Sequence, residues 1–522
     1  MRIATAALAL LLLPLPAGCG EHKTPVPSVP SGAKAGTVSG EACRYKQGKQ
    51  EYPARCGFLY VPENRDKAAS RLIALPYTRI LAGTRTPGAP LFYLAGGPGQ
   101  TNLSLPFPAT WFLAKRDVVM LGYRGVDGSV RLDCPEVNAA LKAGGLLERE
   151  DMARIGASFR ACAARLEKGG IDLSGYTMLE TAGDLEAARR ALGYGRIDLL
   201  GISYGTRLGL LYGWRYPENV ERSILIGVNP PGRFWLDPAI LDRQIRRYGA
   251  LCAADAYCSA RTKDLAADMR KALAAMPERW LGFPVNRDAV LFASFLGLYG
   301  TGGAAGVFDM WIAAAHGDYS GMALASLAFA MMTPPMVMGE AAAKGGSADF
   351  GEARDCEGLL PGRTLLGAPL DVFGCAASGA WPVKKIPAEY RKPRYSAVET
   401  LMLSGSLDVS TPAENAREEL LPLMPNARQV MIAEASHAGD LLFQQKEATR
   451  QLLTAFLDTG RVEARFVYKP VNFDPGWLRL PLIAKALLGA GLLLAALILW
   501  LAVWIVRRLR RAGKAPAKAA PG

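Results

Sequence analysis

The chain has 522 residues, of which 50% are hydrophobic and 21% charged, a composition that excludes a disordered chain. Its formal charge of +14 raises the question of nucleic acid, but six cations between Arg507 and Lys518 supply much of it, leaving +8 elsewhere. The remainder carries no basic-aromatic stripe and no nucleic-acid motif, so that class of partner is set aside.

In chain order, residues 1–18 read as a secretory signal: a cation, an apolar stretch, then small residues. Ala17-Gly18 before Cys19 resembles a bacterial lipoprotein signal, with Pro16 where an aliphatic residue is usual. Cys19 is therefore a candidate for lipidation; the alternative is ordinary cleavage, with Cys19 a spare thiol. Residues 19–40, rich in Pro, Gly and Ser, read as a flexible tether. Eight apolar runs follow, at 57–61, 71–80, 90–96, 117–123, 196–202, 222–228, 398–405 and 428–433, alternating with helical patterns. That alternation predicts an α/β fold with a mostly parallel eight-stranded sheet.

The core occupies 41–229 and resumes at 396–465, and the mainly helical stretch 230–395 between them is expected to be an inserted cap. A linker, 466–485, leads to 486–506, 21 residues without a charge and long enough to cross a bilayer. Trp500, Trp504 and the following "RRLRR" put the basic tail, 507–522, on the cytoplasmic side of an inner membrane. The bulk of the chain is then exported and membrane-tethered. Eight further cysteines fit that compartment. The simplest scheme pairs them sequentially, Cys43 with Cys56, Cys134 with Cys162, Cys252 with Cys258 and Cys356 with Cys375, although sequence leaves the connectivity open. Three histidines and no Cys-x-x-Cys give no metal site.

The chemistry centres on "LLGISYGTRLGLLYG" (199–213), where a strand-like run meets Gly-x-Ser-x-Gly and a helix-like run follows. In the helix before it, Thr181 is read as the cap, with Asp184 completing a capping-box pattern. Gly201 and Gly205 would permit a sharp strand-to-helix reversal that exposes Ser203 as a nucleophile. A serine needs a base. His22 lies in the tether and His316 in the insertion, which leaves His437, after a late core strand. Asp408, at a strand end, is the candidate acid, and Asp440 is its rival. The order Ser203, Asp408, His437 is that of α/β-hydrolases. Oxyanion donors would be the N–H groups of Tyr204 and of Gly97, beside Gly96 in a loop after the third core strand.

With these residues, "GGPG" (96–99), "YRGVDGS" (123–129), "GDLEAARRALGY" (183–194), "GISYGT" (201–206) and "SGSLDVSTP" (404–412) resemble the proline iminopeptidase and tripeptidyl aminopeptidase branch of the α/β-hydrolases. The resemblance runs from roughly residue 50 to 460 and includes the TAP-like C-terminal part. Gly122 departs from it, since the family commonly carries an acid there. The resemblance implies a serine exopeptidase acting on peptides with a free N-terminus, without a cofactor, whose cap acids hold the substrate ammonium; Glu352, Asp355 and Glu357 are the candidates. An esterase or lipid-type hydrolase with the same three residues, or a non-catalytic membrane-tethered binding protein, are the alternatives.

Overall fold

The computed structural model describes residues 27–512 apart from 144, 235, 333–335, 350–355, 360–363 and 464. The signal segment and Cys19 lie outside the described residues. Seven strands come first: β1 (Val38–Gln47), β2 (Gln50–Pro62), β3 (Leu72–Ile80), β4 (Leu91–Leu94), β5 (Val118–Leu121), β6 (Ile197–Ile202) and β7 (Val220–Ile226). A two-stranded hairpin, β8 (Arg279–Trp280) and β9 (Phe283–Pro284), stands apart, and β10 (Thr400–Gly405) and β11 (Ala427–Ile432) complete the main sheet. That sheet has nine strands in the order β1-β2-β3-β5-β4-β6-β7-β10-β11. The β1-β2, β2-β3 and β3-β5 pairings are antiparallel and the others parallel.

The expected count of eight strands is corrected to nine. The extra strand is β1, an edge strand whose sequence "VSGEACRYKQ" has no buried residue and so no apolar run to betray it. Central strands read differently: "LFYL", "VVML" and "IDLLGI" are buried at every position, because helices cover both faces of the sheet.

The longer helices of the first core part are α1 (Pro135–Ala143), α2 (Arg149–Lys168), α3 (Met178–Ala191) and α4 (Tyr204–Arg215). Between β7 and β10 lie α5 (Pro238–Ala254), α6 (Leu265–Ala274), α7 (Arg287–Gly297), α8 (Thr301–Ala315), α9 (Ser320–Met331), α10 (Met338–Ser347) and α11 (Asp371–Ala377). After β11 come α12 (Ala438–Phe443), α13 (Lys446–Thr459) and α14 (Leu480–Ala512). The last is long and apolar enough to cross a membrane, and its most apolar stretch is wholly outside the protein body. The base of α14 rests on the segment between β7 and β10: Lys485 pairs with Asp318 at 2.6 Å, Arg479 with Asp309 at 3.2 Å, and Ser320 Oγ donates to the Pro481 carbonyl at 3.2 Å.

The capping of α3 also differs from expectation. Thr177 is the cap, accepting the Glu180 N–H at 3.2 Å, and Thr181 sits inside the first turn. Asp184 is instead a buried ion partner, 2.6 Å from both Arg124 Nε and Nη2 and 2.7 Å from Arg65 Nη2. Burial works to raise its pKa, but the two guanidinium groups outweigh that and hold it below the ordinary Asp value. The "YRG" and "GDLEAARR" stretches are thus two halves of one buried ion pair.

All four sequential cysteine pairs are closed as disulfides: 43–56, 134–162, 252–258 and 356–375.

Candidate active site

Ser203 stands between β6 and α4 with φ 53° and ψ −121°, a conformation that non-glycine residues rarely adopt. The strain is held by crowding of main chain on main chain. A Cβ on Gly201 would lie 2.5 Å from the Gly205 carbonyl oxygen, and one on Gly205 would overlap the carbonyl oxygen of Leu94 at the end of β4. Only glycine lets these three backbones meet. The Ser203 N–H donates to the Ile226 carbonyl at 2.8 Å, tying the turn to the end of β7.

The loop after β4 lies against this turn: a Cβ on Gly96 would be 3.3 Å from that of Ser203. Gly97 has φ 124°, open to glycine alone. Asn102, fully buried, holds the strand end feeding the loop. Its Oδ1 accepts from Ala95 N at 2.6 Å, and its Nδ2 donates to the carbonyls of Tyr93 at 3.0 Å and Leu121 at 2.8 Å. Tyr204 is the first residue of α4, so its N–H has no acceptor within the helix. The N–H groups of Gly97 and Tyr204 therefore belong to adjoining loop and helix ends beside Ser203.

Asp408 and His437 are brought into direct contact, Nδ1 to Oδ2 at 2.8 Å. Asp408 has no exposure, and its three other side-chain hydrogen bonds come from one turn: Oδ1 accepts from Ser410 N and Thr411 N, each at 2.8 Å, and Oδ2 from Thr411 Oγ1 at 2.8 Å. Burial alone would raise this carboxyl's pKa; the imidazole and Thr411 together hold it below the ordinary Asp value. Thr411 Oγ1 also lies 3.1 Å from His437 Nδ1. On its other side the imidazole faces Gly227, where a Cβ would be 2.9 Å from Cε1. Gly227 directly follows Ile226, the anchor of Ser203, so the end of β7 adjoins both the serine and the ring. Among the described residues no hydrogen bond joins Ser203 Oγ to the imidazole. Such bonds are often long before substrate binds and tighten in the complex.

The other sequence candidates are placed elsewhere. His316 ends α8, with Nδ1 2.8 Å from the Ile312 carbonyl, and His22 lies outside the described residues. Asp440 does not touch the imidazole; its Oδ2 accepts from Ser436 N at 2.8 Å and from Thr301 N and Oγ1, both at 2.9 Å. Glu352 and Asp355 lie outside the described residues, as does the side chain of Glu357, whose main chain forms a 3-10 turn, Cys356–Leu359.

Gly122 has a local explanation. A Cβ there would come 2.6 Å from Asp127 Cβ, and the Asp127 carboxylate accepts from Tyr123 N at 2.8 Å and Asn102 N at 3.0 Å. An acid at 122 would collide with the one that orders the loop from 127.

Sequence reasoning does not single out Asn102, Thr411 or Tyr299, which brace the site; Asn102 and Tyr299 lie outside the quoted motifs, and Thr411 lies within "SGSLDVSTP" with no role read for it. Nor does it find Glu340 on α10, fully buried 3.6 Å from Lys344 Nζ with neither carboxylate oxygen hydrogen-bonded. Burial pushes that carboxyl up and the lysine down. The signal available was a Glu–Lys pair at i, i+4 in a small-residue helix. Among the described residues, no group of three or more His, Cys, Asp or Glu side chains is arranged to hold a metal ion.

A family model described as alpha/beta hydrolase fold matches residues 89–249, and one described as TAP-like protein matches residues 371–468. The tripeptidyl aminopeptidase of Streptomyces lividans is 32% identical over 199 residues, covering 35% of this chain and 36% of that protein. The serine protease Hip1 of Mycobacterium tuberculosis is 29% identical over 250 residues, covering 44% of this chain and 47% of that protein. The matched stretch spans from about a third to just under half of the length of these curated relatives. Sheet order, elbow and both family matches give the chain an α/β-hydrolase fold whose C-terminal part is similar to TAP-like proteins.

Proposed function

We propose that the chain is a membrane-tethered serine peptidase that cleaves peptides from a free N-terminus, in the manner that the name tripeptidyl aminopeptidase gives its relative. The observation that carries the reading is a buried Asp408 bonded to His437 Nδ1, beside a strained serine at a strand-to-helix elbow. In the mechanism, His437 takes the proton of Ser203 as Oγ attacks the peptide carbonyl. The N–H groups of Tyr204 and Gly97 receive the negative charge that develops on its oxygen. His437 then protonates the departing amine, and water, activated by the same imidazole, hydrolyses the acyl-enzyme. Asp408 holds the ring in the tautomer that leaves Nε2 free to accept.

Residues 230–395 act in this reading as a cap, and Glu352, Asp355 and Glu357 remain its candidate ammonium-binding acids. Anchoring through α14 is supported by the helix's length and its exposed apolar surface, and the cationic run "RRLRR" after the apolar stretch favours a cytoplasmic tail. Four disulfides favour an exported catalytic part. Lipidation of Cys19 would add a second attachment, and palmitate labelling of a Cys19→Ser variant tests it.

An esterase is the second reading, favoured by the apolar α9, whose Leu327 and Met331 are exposed and could accept an acyl chain. Full-length protein assayed on one tripeptide p-nitroanilide, free and N-acetylated, with p-nitrophenyl esters alongside, separates the two. Cleavage that requires the free amine supports the aminopeptidase. Equal cleavage of both peptides removes the ammonium subsite, and turnover of esters alone selects the esterase.

A further inference from the structure

The Asp408 bond fixes one nitrogen of the His437 ring but leaves its main chain to be held by something else. That support comes from the insertion. The turn joining α7 to α8, Leu298–Thr301, meets the loop before α12 at four points. The His437 N–H donates to the Tyr299 carbonyl at 3.0 Å, and Ser436 Oγ donates to the Leu298 carbonyl at 2.6 Å. The Tyr299 ring stands edge-on to the imidazole, 5.1 Å between centres and 83° between planes. Asp440, in the first turn of α12, closes the contact by accepting from Ser436 N in the loop before it and from Thr301 N and Oγ1 across the gap.

Tyr299 also reaches the acid. Its hydroxyl accepts from Ser410 Oγ at 3.1 Å, and Ser410 N donates to Asp408 Oδ1. One residue of the insertion thus touches the loops of both Asp408 and His437, using its carbonyl, its ring and its hydroxyl. A ring edge against the imidazole blocks rotation away from Asp408, and the carbonyl sets the height of the histidine main chain above the sheet. Displacements of about 1 Å at a reacting group are enough to cost roughly 100-fold in rate.

We propose that Tyr299 and Asp440 are positioning residues for His437, so that the insertion completes the geometry of the base as well as covering the site. Asp440, the sequence rival for the acid of the triad, acts one step removed, as the clasp between insertion and histidine loop. The proposal rests on the reading of Ser203 and His437 as nucleophile and base.

The test uses full-length protein in detergent and a fluorescent fluorophosphonate, which reports nucleophile reactivity without needing the natural substrate. The final labelled amount measures folded sites, and the rate constant measures their alignment. Tyr299→Ala and Asp440→Ala are expected to keep the final amount within about twofold and to label about 100-fold more slowly. Tyr299→Phe, which keeps ring and carbonyl, and Asp440→Asn, which keeps an acceptor oxygen, should recover most of the rate. Lower amounts at an unchanged rate would mean a merely structural role and overturn the proposal. Where Tyr299→Ala gives no folded protein, Thr301→Val, which deletes one bond to Asp440, decides: a several-fold slower rate upholds the proposal and an unchanged rate overturns it. Labelling that survives Ser203→Ala removes the nucleophile reading, and this proposal with it; labelling lost there but unaffected by the Tyr299 and Asp440 variants sinks the proposal alone.

Discussion

Around Ser203 the contacts are main chain on main chain: Gly201 against Gly205, Gly205 against Leu94, Ser203 N on Ile226. Around His437 they are mostly side chains reaching over long sequence distances, Asp408, Thr411 and the ring of Tyr299, joined by one main-chain bond to the Tyr299 carbonyl. The first arrangement leaves few degrees of freedom and needs almost no side-chain chemistry. The second is a network of hydrogen bonds, each modest in net strength, that works only when all its members are present. The strained Ser203 turn is thus made rigid by exclusion, whereas the Asp408–His437 pair is made rigid by satisfaction.

Substitutions can break either half of this contrast. The largest effect is expected from Ser203→Ala, which should lower kcat about a million-fold with little change in thermal stability, as read by turnover and melting. Asp408→Asn comes next: the ring loses its tautomeric control, and kcat should fall about 10,000-fold while the elbow is untouched. Gly205→Ala tests exclusion directly. Its methyl would overlap the Leu94 carbonyl, so a loss of about 3 kcal/mol or more is expected in chemical denaturation, before any catalytic effect. A melting curve equal to the parent's would end the crowding argument. Thr411→Val should be milder, slowing turnover about 5- to 10-fold by removing one hydroxyl bond to Asp408.

The smallest signal lies in pH. The folded-state pKa of Asp408 is depressed, so its contribution to stability is full above the unfolded value of about 3.9 and is lost as pH falls through the lower folded value. The stability gap between parent and Asp408→Asn should therefore narrow from pH 5 downward. The gap for Gly205→Ala should not, because nothing in that crowding titrates. A gap that widened in acid for Asp408→Asn would contradict the depressed carboxyl.

The same contrast explains what the amino-acid order discloses. Glycines at 201 and 205 flank Ser203 within five residues, so the elbow is legible from local pattern alone. Asp408 and His437 can be chosen by their places after two strands, and the fold sets them 2.8 Å apart. Thr177 as the cap of α3 was hidden by a second threonine with an acid three residues on, and Asp184 was hidden because its partner, Arg124, is 60 residues away. Strand β1 escaped because an edge strand need not be apolar. Tyr299 and Asn102 carry no motif, and Thr411 sits in one that does not disclose its role; their importance comes from where the fold brings them.

The disulfides close loops of 6 to 28 residues, and each joins a cysteine to the next one along the chain. Eight thiols allow about 105 arrangements. With Cys19 set aside, a chain emerging from its N-terminus into an oxidising space would meet the right partner first every time. Correct cross-linking then follows from the order of arrival, without a search among rearranged isomers.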